Sequence, residues 1–264
     1  LIKNGDVYVI ECNLRASRSM PFVSKTININ LMKLAACVLV GKKLPNNTNM
    51  GTKMRFGVKV PQFSFMQLDG TDPILSVEMQ STGEVACFGD DFHEALAKAL
   101  IAAGYKIPKP GGNIFISVGG KEMKEKILKV ALELKRMGYN IIATEHTAEY
   151  LMEHGINDVK IIYKFHEKAR HPNISEYLKE GLIALVINIP SSLSLEKYSV
   201  MLEDEYIIRR RAVELGIPVI TNIATAEAFI ESLKWITSKN QSTNLIKKKA
   251  MPSALPGNVI NSDA

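Results

Sequence analysis

The second half of the chain alternates short apolar runs with segments of helical periodicity. Strands are predicted at residues 114–118, 140–143, 159–163, 182–189 and 218–221. Helices are predicted after each strand in turn, at residues 121–136, 147–153, 174–180, 202–215 and 224–236. In the first of these helices the apolar positions Met123, Ile127, Val130 and Leu134 recur at helical spacing. Short apolar strands alternating with helices are typical of an α/β fold with a parallel, doubly wound sheet.

The first part of the chain has a less regular pattern. Strands are predicted at residues 7–11, 55–62 and 83–88, and helices at 30–40 and 92–103. Residues 107–112 contain two prolines and two glycines, which indicates a boundary between regions. We therefore predict three parts. They are a first region over 1–105, a second over 111–237, and a flexible tail or linker over 238–264.

Composition and termini restrict the class of protein. Apolar residues make up 46% of the chain and charged residues 23%, as expected for a globular protein. No apolar run approaches the ~18 residues that a membrane span needs, and no cationic leader precedes an apolar segment. We therefore expect no membrane association and no secretion. The chain begins without methionine and almost directly on a strand-like run, which suggests that its start lies inside a domain.

Charge and cysteine content add two expectations. The formal net charge is +6, of which residues 234–264 contribute +4 through five lysines and one aspartate. Such a tail is typical of a solvated linker or of a nucleic-acid arm, and the lack of interleaved aromatic residues favours the linker. The spacing of Cys12, Cys37 and Cys87 fits neither a zinc site nor a disulfide framework. We therefore predict reduced, largely buried thiols in a reducing compartment, the cytoplasm. From the charge pattern we expect no nucleic-acid partner.

The first region has one group of candidate ligands near its start. Glu11, Asn13 and Arg15 alternate along a predicted strand end, so their side chains share a face, and Arg18 follows them. A carboxylate and an amide oxygen suit a hard cation such as Mg²⁺, and an arginine suits a phosphate. The alternative is an ordinary surface network of polar side chains.

The second region places polar residues after its strands. In an open parallel sheet the carboxyl ends of the strands form the ligand-binding edge. The residues expected at this edge are Ser117, Lys121, Lys124, Thr144, Thr147, Lys164, His166, Arg170, Asn188, Ser191 and Ser192. Hydroxyl groups, lysines and helix N-termini together suit a phosphate. Thr144 or Thr147 could instead only cap the next helix.

Two strings in the first region resemble a known family. Residues 9–25 read VIECNLRASRSMPFVSK and residues 81–89 read STGEVACFG. Together they resemble the end of the second ATP-grasp domain of the carbamoyl-phosphate synthase large subunit. The resemblance implies that Glu11 and Asn13 bind Mg²⁺ (or Mn²⁺) and that Arg15 is a catalytic residue facing the phosphates of ATP. Metal ions and an arginine would neutralise charge that moves during phosphorylation of carbamate.

The second region resembles the methylglyoxal-synthase-like domain of the same subunit. The resemblance rests on ATEHT at 143–147, KFHE at 164–167 and YIIRR at 206–210. It implies an allosteric effector site that uses Lys124, Thr144, Thr147, Lys164, Asn188 and Ser191, with Lys121 as an alternative to Lys124. Tyr163, Ser191 and Glu205 depart from the residues of the N-acetylglutamate-binding type. A phosphorylated effector, a nucleotide, is therefore the expected ligand.

The combined resemblance implies a role in a larger enzyme. The family makes carbamoyl phosphate from bicarbonate, ammonia or glutamine and two molecules of ATP, for pyrimidine and arginine synthesis. Expected partners are ATP and carbamate, the effector, a glutaminase subunit or domain, and further copies in a possible oligomer. The location is cytoplasmic, or the mitochondrial matrix for the urea-cycle type. The chain alone should be inactive. The alternative function is a non-catalytic nucleotide-binding regulatory module acting alone.

A free methylglyoxal synthase is a further alternative on the same fold. These enzymes carry a catalytic aspartate after the fourth strand, whereas residues 188–194 contain no acidic side chain. This activity is therefore not expected.

Overall fold

A computed structural model describes residues 1–13, 15, 17, 19–44, 55–62, 72, 74, 81–190 and 201–250, with side chains described within 201–250 only for residues 204–239. The first region begins with an antiparallel hairpin of β1 (Ile2–Lys3) and β2 (Asp6–Val7). Two helices follow, α1 (Met20–Thr26) and α2 (Leu31–Leu39). Strands β3 (Phe56–Gln62) and β4 (Gly83–Gly89) pair antiparallel, and helix α3 (Phe92–Ala102) closes the region.

The parallel sheet predicted for the second region is confirmed. Its strands are β5 (Asn113–Val118), β6 (Asn140–Ala143), β7 (Val159–Ile161), β8 (Ile183–Ile189) and β9 (Val219–Ile220). The strands lie in the order β7-β6-β5-β8-β9 and all pair in parallel. The connecting helices are α4 (Lys121–Arg136), α5 (Glu145–Glu153), α6 (Ile174–Lys179), α7 (Met201–Glu214) and, after the last strand, α8 (Ile223–Ala250).

The strand order creates a switch point in the middle of the sheet. The chain builds outward from β5 to β6 and β7, then returns to the other side of β5 with β8 and β9. Connections therefore leave β5 and β8 in opposite directions. A crevice opens between the carboxyl ends of two such strands, and it is the usual ligand position in open α/β sheets.

Alternating side chains on β5 fill two separate cores. Ile114 and Ile116 point to the face covered by α4, α5 and α8, and Phe115 points to the face covered by α6 and α7. All three residues have no solvent exposure. Full burial of one such side chain stabilises the fold by about 1.5–3 kcal/mol. Because both faces of β5 are covered, its sequence is continuously apolar from Ile114 to Ile116.

The first region shares the larger of these two cores. Helix α3 contributes Leu96 and Leu100, and β3 contributes Val60, to the same cluster that contains Phe229 of α8. Helix α3 packs against β3, β4 and α8. The two regions are therefore joined by continuous apolar packing as well as by the Pro/Gly segment at 107–112.

The structure differs from the predicted secondary structure in three places. The strand predicted at 7–11 is wrong beyond Val7. Val9 and Ile10 are 84% and 80% exposed and pair with no strand among the described residues, so they lack both a ladder and a core. Helix α1 was not predicted, although Pro21 at its first turn suits a helix start. Helix α8 continues past the predicted end at residue 236 to Ala250, inside the segment predicted to be a tail.

The prediction that the thiols are largely buried is wrong, because Cys12 is exposed and Cys37 and Cys87 are half-buried. The remaining bounds of helices and strands lie close to the predictions. Helix α5 begins two residues before its predicted start, and Tyr163 forms an isolated bridge with Asn173 beyond the end of β7. Within the described part of the chain, no helix combines the length and apolar character that a membrane crossing requires.

The end of β4 allows a sharp test of the packing between β4 and α3. A Cβ atom on Gly89 would lie 2.5 Å from the Ala95 nitrogen and 2.7 Å from the Asp91 carbonyl oxygen, both backbone atoms. Gly89→Ala should therefore force the start of α3 away from β4 and destabilise the protein by about 2–4 kcal/mol, measured by thermal denaturation. The matched control is Gly83→Ala in the same strand, where a Cβ meets nothing within 4 Å. Equal losses in the two variants would contradict this account.

Candidate functional site at the carboxyl edge of the sheet

Three of the polar residues predicted at the carboxyl edge meet on one face of the sheet. Ser117 on β5 pairs in register with Asn188 on β8, and Thr144 directly follows β6. By strand alternation these three residues lie on the face covered by α6 and α7. Each is less than 10% exposed, so the three form a buried polar cluster beside the switch point.

The hydroxyl groups of this cluster contact each other. The Thr144 Oγ1 lies 3.2 Å from the Thr147 Oγ1 and 3.4 Å from the Ser117 Oγ. The Val118 backbone N–H donates to the Thr147 Oγ1 at 3.2 Å. Thr144 occupies the N-cap position of α5, but its side chain makes no capping hydrogen bond. The two threonines therefore tie β5 to the start of α5 and keep their hydroxyls at the sheet edge.

Asn188 carries an unpaired donor at the centre of the cluster. Its side chain is fully buried, and its Oδ1 accepts a hydrogen bond from the Arg209 Nη1 at 2.6 Å. The Nδ2 atom has no hydrogen-bond partner among the described residues. A buried N–H left unpaired costs about 1–3 kcal/mol. An acceptor oxygen supplied by a ligand would remove this cost.

Lys164 follows β7 and is held by its backbone. Its N–H donates to the Glu167 Oε2 at 2.9 Å, and its carbonyl oxygen accepts from the Asn173 Nδ2 at 2.7 Å. The half-buried ammonium group forms no salt bridge with any residue that the structure describes. Its position is thus fixed at the backbone while its charge stays available to an anion.

An arginine fastens the loop after β7 to the neighbouring helix. Arg170 binds both carboxylate oxygens of Glu145, at 2.7 and 3.1 Å, and binds Glu167 at 3.0 Å. Its guanidinium group also lies 3.8 Å from the centre of the Tyr163 ring. Hydrogen bonding to Arg170 holds the pKa of Glu145 below its ordinary value. This clamp orders the loop that carries Lys164.

Two acidic residues of α7 line the same side of the site. Asp204 and Glu205 are 3% and 6% exposed, and Asp204 bonds both the backbone N–H and the Nδ1 of His166. Burial raises the pKa of Glu205, and the adjacent Asp204 adds to this, while Lys164 and Arg209 act in the opposite direction. The site therefore balances two cations against two buried acids.

The structure describes the position of Lys124 but not that of Ser191. The Lys124 Nζ donates to the His146 carbonyl oxygen at 2.8 Å and lies 5.9 Å from the centre of the Tyr150 ring. It is thus placed beside the turn after β6, whereas Lys121 is exposed. Ser191 and Ser192 lie outside the described residues.

The candidate ligands of the first region lie together on the surface. The Asn13 Nδ2 donates to the Glu11 Oε1 at 3.1 Å, and both side chains are exposed, as is Arg15. The two residues offer oxygen donors of the kind that Mg²⁺ prefers, but they offer only two. Among the described residues no group of three or more His, Cys, Asp or Glu side chains is placed to hold a metal. Arg18 lies outside the described residues.

Sequence reasoning missed two features near the sheet. Arg209 lies in the YIIRR string but was given no role, and its partner Asp72 was not considered. A cavity of about 370 Å³ also lies along β9, lined by residues that include Val60, Leu100 and Asn222. Its walls come from β3 and α3 of the first region as well as from β9, which no local pattern reveals.

Comparison with known proteins agrees with the fold of the second region. The family described as MGS-like domain matches residues 126–221, which cover most of the parallel sheet. The second region is therefore an MGS-like domain. Multifunctional protein CAD of Squalus acanthias is 40% identical over 245 residues, covering 89% of this chain and 11% of that protein.

Two further relatives extend this similarity. Multifunctional protein URA2 of Saccharomyces cerevisiae is 37% identical over 272 residues, covering 97% of this chain and 12% of its own length. The human mitochondrial carbamoyl-phosphate synthase (ammonia) is 38% identical over 243 residues, covering 89% of this chain and 16% of its own length. This similarity over most of the chain supports a C-terminal fragment of a carbamoyl-phosphate synthase. It spans between 10% and 16% of the length of the curated relatives it matches.

The raised pKa of Glu205 predicts a pH-dependent effect on stability. The folded state binds the Glu205 proton more tightly than the unfolded state does. The charged carboxylate therefore lowers the folding stability in full at pH values above the pKa of the folded state. This loss of stability disappears as the pH falls below the ordinary pKa of 4.5. Glu205→Gln should therefore raise the melting temperature at pH 7 and leave it nearly unchanged at pH 4. Glu125→Gln, at an exposed position on α4, is the control and should shift neither value. A stabilisation that is equal at both pH values would contradict the assignment.

Proposed function

We propose that the MGS-like domain is a regulatory domain that binds a phosphorylated effector, a nucleotide, at the carboxyl edge of its sheet. The observation that carries this proposal is the Nδ2 of the fully buried Asn188, which has no hydrogen-bond partner within the described part of the chain. A buried donor beside the switch point is satisfied by an acceptor such as a phosphate oxygen. Thr144 and Thr147 supply hydroxyl groups close by, and Lys164 supplies positive charge.

Lys164 is a cation that stays available to an anionic ligand at this edge of the sheet. Lys164 and Arg209 both act on Glu205, but Arg209 is already paired with Asp72. Arg170 is already occupied by Glu145 and Glu167 and offers little charge to a ligand. Of the residues predicted to bind effector, Lys124 donates one N–H to the His146 carbonyl oxygen and keeps two more for a ligand. Ser191 stays a proposed contact.

The first region is proposed to contribute to an ATP site. Glu11 and Asn13 would hold Mg²⁺ (or Mn²⁺), and Arg15 would face the phosphates of ATP. A bound metal ion would neutralise charge on the phosphates during transfer to carbamate. Glu11 and Asn13 already orient each other through their hydrogen bond. Because these two residues alone offer too few ligands for Mg²⁺, we expect the chain alone to be inactive.

The chain is proposed to act within a full-length carbamoyl-phosphate synthase, with ammonia supplied by a glutaminase subunit or domain. The relatives include multifunctional proteins and a mitochondrial synthase, so a cytoplasmic and a mitochondrial location are both consistent with the family. The alternative is a non-catalytic nucleotide-binding module that acts alone. Formation of carbamoyl phosphate by the full-length protein, and its response to nucleotide, separates these two functions.

Lys164 provides the first test of the effector site. Saturating UMP should raise the melting temperature of the chain, because a ligand bound only to the folded state stabilises it by about 2.7 kcal/mol at a hundred times its Kd. Lys164→Ala should remove most of this shift by removing a cation from the pocket. The control is Lys168→Ala, which removes the same charge from an exposed position in the same loop. An unchanged shift in the Lys164 variant would refute its assignment.

Glu11 provides the test of the proposed metal site. In the full-length protein, Glu11→Ala should lower the rate of carbamoyl phosphate formation by about 100-fold or more, because it removes one of two oxygen ligands. Binding of UMP to the MGS-like domain should stay within twofold of the parent. Asp6→Ala, at an exposed position on β2, is the control and should retain activity. Retained activity in the Glu11 variant would argue against a metal ligand there.

A further inference from the structure

We infer that Arg209 is a positioning residue that connects the effector pocket to the first region, by holding the Asn188 carboxamide while Asp72 holds its guanidinium group. This inference rests on the proposed effector site at the carboxyl edge of the sheet. It adds a route, through Arg209 and Asp72, by which effector binding there affects the first region. Asp72 and Arg209 are separated by 137 residues in the chain.

The hydrogen bonds of Arg209 leave its guanidinium group little freedom. The side chain is 2% exposed, the Nε donates to the Asp72 Oδ1 at 2.9 Å, and the Nη2 donates to the other Asp72 oxygen. The Nη1 donates to the Asn188 Oδ1 at 2.6 Å. Such a fork contacts both partners through fixed geometry, and a buried arginine that loses its carboxylate is left with an uncompensated charge.

The contact with Arg209 also decides which end of the Asn188 carboxamide stays free. Arginine has donors and no acceptors, so the atom that it meets on Asn188 must be the oxygen. The remaining group is therefore the Nδ2, a buried donor for which the described residues supply no partner. Arg209 thus selects an N–H, rather than a carbonyl oxygen, as the unpaired group of the pocket. That choice favours an acceptor such as a phosphate oxygen.

Asp72 brings the first region into this arrangement. Its carboxylate is 31% exposed, so it is the accessible end of a chain of contacts whose other end, Asn188, is fully buried. The Asp72 Oδ1 also accepts from the Ile74 backbone N–H at 3.2 Å, which fixes the carboxylate locally. The Asp72–Arg209 ion pair holds the Asn188 carboxamide in the orientation that leaves its Nδ2 free for a ligand. Coupling is reciprocal, so a ligand bound to this Nδ2 must in turn stabilise the Asp72–Arg209 ion pair.

The experiment measures UMP binding by calorimetry on the full chain and on its Asp72→Asn variant. Asp72→Asn removes the carboxylate without changing side-chain size, so the affinity should fall about tenfold, or ~1.4 kcal/mol. Asp72→Glu keeps the charge and should recover part of the loss. Asp6→Asn, which removes an exposed carboxylate elsewhere in the first region, should bind like the parent. Unchanged or tighter binding by the Asp72→Asn variant overturns the inference.

A double-variant comparison and a ligand-free measurement complete the test. Because Asp72 acts through Asn188, the Asp72→Asn/Asn188→Ala double variant should bind no more weakly than Asn188→Ala alone, and additive losses overturn the inference. In the free chain, Asp72→Asn should shift the Asn188 side-chain amide NMR resonances, and unchanged resonances overturn the inference without any ligand.

Absence of UMP binding by the parent would instead refute the proposed function. The resonance measurement would still decide the positioning role of Arg209.

Discussion

The parallel pairing of β5 with β8 is the constraint on which the rest of the structure depends. This pairing places Ser117 beside Asn188 and puts both on the face where Thr144 ends the neighbouring strand. It also brings together two strands whose connections run in opposite directions, so that their carboxyl ends leave an open crevice. A slip of one residue would turn Asn188 into the apolar core on the other face, where its amide would find no partner.

The architecture of the second region could be predicted because its signals are local. Short windows of sequence are enough to recognise buried strands that are apolar on both faces, such as β5 and β8. They are also enough to recognise helices with apolar residues at helical spacing. The first region was harder because its apolar runs depend on what covers them. Val9 and Ile10 look like strand residues, yet they are exposed and unpaired among the described residues.

The site was predictable to the extent that it follows from strand ends. Thr144, Lys164 and Asn188 come directly from reading the residues at the carboxyl edge, and the family resemblance points to the same positions. The Arg209–Asp72 contact could not be found in this way, because it joins positions far apart in sequence and depends on how the regions pack. The raised pKa of Glu205 has the same origin, since burial is a property of the folded chain.

The apolar cluster shared between α3 and α8 has a consequence for dissecting this protein. A cut within the Pro/Gly segment at 107–112 follows the boundary visible in the sequence, but it would strip Leu96 and Leu100 from the surface of Phe229 and its neighbours. An excised MGS-like domain would expose this apolar surface to solvent, where it could drive aggregation with other copies of the domain. A transplantable version of the domain therefore has to carry α3 with it, or replace the α8 residues beneath it with polar ones.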